Sequence, residues 1–295
     1  METETDPRLL ALVAWYRDIG VSDALTDEPV GWLARGDDVD TSFGLRKPSA
    51  APPPSAPPQQ TGNTYYQSGV APPEMVHARG PRTFPAIAPA AAEQAANAEA
   101  ASARTLDELR AKLEQFDGCA LKATAKNLCF YRGAAQARLM IIGEAPGRDE
   151  DLEGKPFVGR AGQLLNRMLA AVDLDESSVH ITNIVYWRPP GNRTPTPQEA
   201  LVCRPFLMRQ IELVAPDMLL LLGGAAAKSI FNITDGILRV RGKWRQVEVA
   251  GRTLPAIATL HPAYLLRTPI AKRQAWRDLL ATRVKLDENR PGRPN

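Results

Sequence analysis

Four short apolar-rich runs, at residues 139–142, 179–185, 218–222 and 256–260, alternate with helical patterns at 163–172, 197–214, 225–231 and 271–285. Runs this short, dense in branched aliphatic residues, suit strands that are covered on both faces. Strands of that kind are joined by helical crossovers. The alternation therefore predicts an α/β fold, a three-layer α/β/α sandwich around a four-stranded parallel sheet. In such a sheet the ligand site lies outside the carboxyl ends of the strands, so the residues after each run carry the functional expectation.

The first of those loops is the densest in information. Residues 143–162 hold Gly143, Gly147, Gly154, Gly159 and Gly162, the prolines Pro146 and Pro156, a cluster of acids and one aromatic ring, Phe157. An ordinary strand-to-helix connection needs none of this. The second loop begins at Asn183 and runs through Trp187, Arg188, Gly191 and Asn192 to Thr196 and Pro197, an N-cap and a first-turn proline. The third reads His261-Pro262-Ala263-Tyr264-Leu265-Leu266-Arg267. Carboxylates and a ring, asparagines, and a histidine thus converge on one sheet edge. That set suits a flat heterocycle with hydrogen-bonding edges.

Outside this region the chain changes character. Apolar residues crowd between Leu9 and Tyr16, which predicts an N-terminal helical segment (1–46) that docks on its own domain or on a protein partner. Eleven of the 26 prolines fall between Lys47 and Ala90, so residues 47–103 are expected to form a Pro- and Ala-rich disordered linker, with fraying helix toward its end. Residues 104–295 then form the α/β domain that carries the three loops, opening on a helix capped by Thr105 with Glu108 three residues on. A hairpin-like insertion is expected at 238–254.

Net charge is +3, but residues 239–295 carry thirteen Lys and Arg against four Asp and Glu, a balance that suits a polyanion. No run of about 18 apolar residues occurs, so no membrane span is expected. The acidic first residues are unlike a signal peptide, and three cysteines do not suggest a disulfide framework. A cytoplasmic protein is the expectation.

The three motifs, in order and spacing across residues 116–286, resemble the family 4 uracil-DNA glycosylases. The resemblance implies DNA repair by hydrolysis of the N-glycosidic bond of uracil, on a base flipped out of single- or double-stranded DNA. Phe157 then stacks on uracil, and Asn183 reads N3–H and O4. Glu150 lies near C5, and Glu144 and Ala145 line the base edge and sugar. His261, neutral, donates to O2 as charge develops there. Family 1 relatives have an Asp where Ala145 stands, which leaves Asn192 as the candidate for placing water. Leu265, Leu266 and Arg267 resemble a wedge for the vacated stack, with Arg267 on phosphate. His180 is read as structural.

Many family 4 enzymes hold a 4Fe–4S cluster on four cysteines. Cys119 and Cys203 match two of those positions, whereas Phe116 and Trp187 occupy the others, so no metal or cofactor is expected and apolar packing is expected there. Cys129 could serve only if its loop turned inward. The competing readings are a non-turnover uracil-DNA-binding relative, which needs a His in the second loop that 188–197 lacks, and a polymerase-associated module.

Overall fold

The structure, a computed structural model, describes residues 89–288. The expected N-terminal helix and the proline-rich stretch before residue 89 lie outside the described residues.

The expected four parallel strands become part of a six-stranded sheet, ordered β1-β3-β2-β4-β6-β5. The strands are β1 (Arg132–Gly133), β2 (Leu139–Gly143), β3 (Val179–Asn183), β4 (Met218–Leu222), β5 (Trp244–Val249) and β6 (Arg252–Thr259). Pairings β3-β2, β2-β4 and β4-β6 are parallel; β1 and β5 close the two edges antiparallel. The strand count is thus corrected from four to six. The extra strands escaped periodicity for physical reasons: β1 is two residues long, and β5 alternates exposed polar with buried apolar residues. The insertion expected at 238–254 is real, but its return strand runs on into the fourth parallel strand. Its turn, Ala250-Gly251, has φ of 48° and 77°, the positive pair that matches the twist of a two-residue hairpin.

Side-chain alternation on the central strands divides the core. Met140, Ile142, Leu219 and Leu221 join one cluster, while Leu139, Ile141, Leu220 and Leu222 join the other. Helices α1 (Pro89–Ser102), α2 (Leu106–Gln115), α3 (Pro197–Val214) and α4 (Gly224–Phe231) cover the first face. Helices α5 (Arg160–Ala170), α6 (Pro262–Arg267) and α7 (Lys272–Glu288) meet the second, which completes the three layers. Helix order around the chain is α1, α2, α5, α3, α4, α6 and α7.

Helix α1 moves one expected boundary. Ala92, Ala96 and Ala100, four residues apart, and Ala103 are all buried in the first cluster, where small side chains let a helix approach closely. The packed domain therefore begins before residue 104, inside the segment expected to be linker.

Capping follows the sequence. Thr105 accepts the Glu108 N–H at 3.1 Å. Thr196 accepts the Glu199 N–H at 3.2 Å while Glu199 accepts the Thr196 N–H at 2.8 Å, a reciprocal pair that sets where the second loop ends. Thr196→Ala is predicted to lower stability by about 1 kcal/mol. The urea midpoint is the measurement, and a change below a few tenths would mean that the box adds nothing.

Candidate functional site

The first loop is shaped by carboxylates turned onto its own backbone. Glu150 accepts the Gly147 N–H at 3.1 Å through one oxygen and the Gly159 N–H at 2.9 Å through the other. Asp151 accepts the N–H groups of Lys126 and Asn127 at 2.7 and 3.1 Å. The Cys129 thiol donates to the Glu150 carbonyl at 3.1 Å and is pushed up to about 12 by burial and the neighbouring carboxylates of Asp151 and Glu150.

That frame presents Phe157, a non-glycine residue at φ 57°. Its carbonyl lies against Gly162 and its ring over Gly143, where no Cβ could be accommodated in either case. The side-chain oxygen of Asn183 shares the space above Gly143. Asn183 ends β3 and is only 1% exposed, and its Oδ1 is buried without a hydrogen-bond partner. A buried carbonyl oxygen left unpaired is costly unless a ligand supplies the donor.

His261 follows β6 and caps α6. Its Nδ1 accepts the Ala263 N–H at 3.1 Å, so the proton of the neutral ring sits on Nε2. Burial, and then the charge of Arg267, lower its pKa to about 4. The ring stands 5.6 Å from that of Phe157, centroid to centroid, at 29°.

Glu150, Phe157 and His261 border a cavity of about 440 Å³. Of the residues singled out in the sequence, Glu144, Ala145, Glu150, Phe157, Asn192, His261 and Arg267 line it, whereas Asn183, Leu265 and Leu266 do not. Arg193, Thr194 and Tyr264 also line it and were not foreseen, although all three sit inside the quoted motifs. Asn192 stands at φ 56° and its side-chain oxygen accepts from Arg188 at 2.7 Å. A π face and a neutral imidazole thus border the cavity, and an unpaired carbonyl acceptor lies buried beside that ring.

A sequence model described as the uracil DNA glycosylase superfamily matches residues 130–280, a span that holds all three loops. A type-4 uracil-DNA glycosylase of Archaeoglobus fulgidus is 43% identical over 169 residues, 56% of this chain and 85% of the relative. Relatives bearing the same name in Pyrobaculum aerophilum and Thermotoga maritima are 37% and 40% identical, over 59% and 53% of this chain and 91% and 80% of their own lengths. The chain belongs to the type-4 uracil-DNA glycosylases.

Within this type-4 framework the expected wedge divides. Leu265 is 1% exposed and part of the core, so its place is structural, which corrects its assignment to the DNA. Leu266, 39% exposed, and Arg267 face outward. His180 is structural: Nδ1 donates to the Ala134 carbonyl at 2.7 Å, and Nε2 receives the Gln210 amide at 2.9 Å.

The four family cluster positions hold a different donor set. The Cys119 and Cys203 sulfurs lie 3.9 Å apart, both buried. The Phe116 ring folds over Gly118 and packs 5.1 Å from Phe206; Trp187 is buried against Tyr186, 6.4 Å away at 82°. Hydrogen bonding to Cys119 and burial push the Cys203 thiol up. Cys129 is engaged with Glu150 instead. Two thiols and two aromatic rings do not fit a group held by four thiolates.

The His261 geometry leads to a prediction. Its folded value, about 4, lies below the ordinary 6.5, so the unfolded chain takes up this proton first. Its contribution to stability is present above 6.5 and is lost as pH falls through that window toward 4. Imidazole nitrogen NMR should show the neutral Nε2–H form down to about pH 5. A midpoint near 6.5 would remove burial as the cause of the low value, and a proton on Nδ1 would remove the cap as what sets the tautomer.

Proposed function

We propose that this chain hydrolyses the N-glycosidic bond of deoxyuridine in DNA and leaves an abasic site. The observation that carries the reading is the cavity bordered by Phe157 and the neutral His261, with the unpaired Asn183 oxygen buried beside the Phe157 ring. The uracil ring, flipped from the stack, lies on Phe157. Asn183 accepts from N3–H and donates to O4. Cytosine presents an acceptor and a donor at those positions and is rejected by the same amide.

As the C1′–N1 bond breaks, its electron pair passes to N1 and O2, and the sugar becomes cationic. Nε2–H of His261 meets the charge on O2 without giving up its proton. A neutral donor suits this task because its strength as a hydrogen-bond partner rises with the developing charge. Water placed by Asn192 adds to C1′ and releases a proton to solvent. Glu144 and Ala145 border the base edge and sugar, and Glu150, whose oxygens brace the loop, limits space near C5. Outside the cavity, Leu266 enters the vacated stack and Arg267 meets phosphate. DNA is the partner, and the chain acts as a monomer.

A labelled oligonucleotide with one uracil, incubated with EDTA and then treated with alkali, should be cut at the uracil. His261→Ala should slow the single-turnover step by about 10²-fold or more with DNA affinity largely kept. Folded, DNA-binding protein that leaves the strand intact would refute the reading.

We further propose that no iron–sulfur cluster contributes. Anaerobically prepared protein should lack the broad brown absorbance, and Cys119→Ser with Cys203→Ser should retain glycosylase activity apart from the modest effect of buried hydroxyls. Stoichiometric iron and sulfide, lost together with activity in the double variant, would overturn this.

A further inference from the structure

The turn that follows the third motif offers a contact the motif itself does not contain. Helix α6 ends at Arg267, and Pro269–Ala271 forms a single 3₁₀ turn before α7. The turn is held firmly: the Thr268 N–H donates to the Tyr264 carbonyl at 2.9 Å and the Ala271 N–H to the Thr268 carbonyl at 3.1 Å. Leu265 and Ala271 anchor the two ends in the core. Between these anchors the chain presents Leu266, Arg267 and Ile270 outward.

Ile270 is 86% exposed, the most exposed large apolar side chain among the described residues. A single exposed aliphatic group needs no explanation. Three further facts separate this one. Proline and two buried anchors fix its direction, so little ordering remains to be done on binding. It lies three residues beyond Arg267, which lines the cavity, and so within about 11 Å of it along the chain. Arg267 and Arg273, both exposed, lie three residues to either side of it along the chain, and neither enters an ion pair with a described residue. An apolar tip among unpaired guanidinium groups, beside the site, matches a stack of bases rimmed by phosphates.

We propose that Ile270 contacts the strand opposite the flipped nucleotide, lying against the unpaired base or its neighbour, so that this turn is what the enzyme uses to engage duplex rather than single-stranded DNA. This rests on the uracil-release reading above. Leu266 fills the position that the uracil leaves, and Ile270 supports the partner strand across it. A single strand has nothing for Ile270 to touch.

The same uracil oligonucleotide, alone and annealed to its complement, tests this with the full chain. Ile270→Ala should reduce kcat/KM on the duplex by about tenfold, as expected for losing one buried aliphatic contact, and change the single-strand value by less than about twofold. Ile270→Leu should restore most of the duplex activity. Val284→Ala, at a 58% exposed apolar position farther along α7, should alter neither. Equal losses on both substrates, an unaffected duplex, or a wild-type enzyme that acts only on single strands would each overturn the proposal. Wild-type protein that releases uracil from neither substrate would overturn the functional reading itself, and this inference with it.

Discussion

The space left above Gly143 governs the site. The Phe157 ring and the Asn183 amide oxygen both occupy positions that a Cβ on that residue would claim. Phe157 reaches there only because its backbone adopts the left-handed region, with its carbonyl lodged against the bare Cα of Gly162. For a residue with a Cβ that conformation costs roughly 1–2 kcal/mol. The nearly complete burial of the ring offsets it. Strain is thus stored where the cavity is formed, and packing of α5 keeps it from relaxing.

The loop around this strained residue is braced because two of its acids, Glu150 and Asp151, face inward. Glu150 ties Gly147 to Gly159, and Asp151 ties the loop to Lys126 and Asn127. From sequence alone these acids read as ligand chemistry, since acids in a glycine-rich loop usually face solvent or substrate. Only the path of the backbone reveals that both Glu150 oxygens are already engaged. Its influence on the cavity it lines therefore passes through the shape of the loop.

Legibility followed burial. The four parallel strands were readable because helices cover both their faces, which demands apolar residues at nearly every position. The edges were not. A two-residue strand such as β1 has no period, and β5 is held by the hairpin turn at Ala250-Gly251 rather than by its own pattern. Leu265 and Leu266 are chemically identical neighbours, so nothing local could say which faced the core; the pitch of a six-residue helix decided it. His261 was recognisable by its place after a strand. The identity of its protonated nitrogen was not, because that depends on a hydrogen bond from Ala263 across the first turn of α6.

The corner around Cys119 and Cys203 braces the second loop through buried polar groups and aromatic rings. The second loop must hold Asn192 at the cavity, and its base is fixed at Tyr186 and Trp187, where the Cys129 N–H donates to the Tyr186 carbonyl at 2.9 Å. The Tyr186 hydroxyl donates to Gln210 on α3 at 2.8 Å, and Gln210 in turn satisfies His180 in β3. Phe116, Trp187 and Phe206 add apolar packing on the same face of the sheet. Loop, helix and strand are therefore joined by a buried polar chain inside an aromatic shell. Metal–thiolate bonds would resist heat through their own strength, whereas this arrangement derives its rigidity from burial and fully paired polar atoms. The groups that orient the loop here are the Tyr186–Gln210–His180 chain and the rings packed around it.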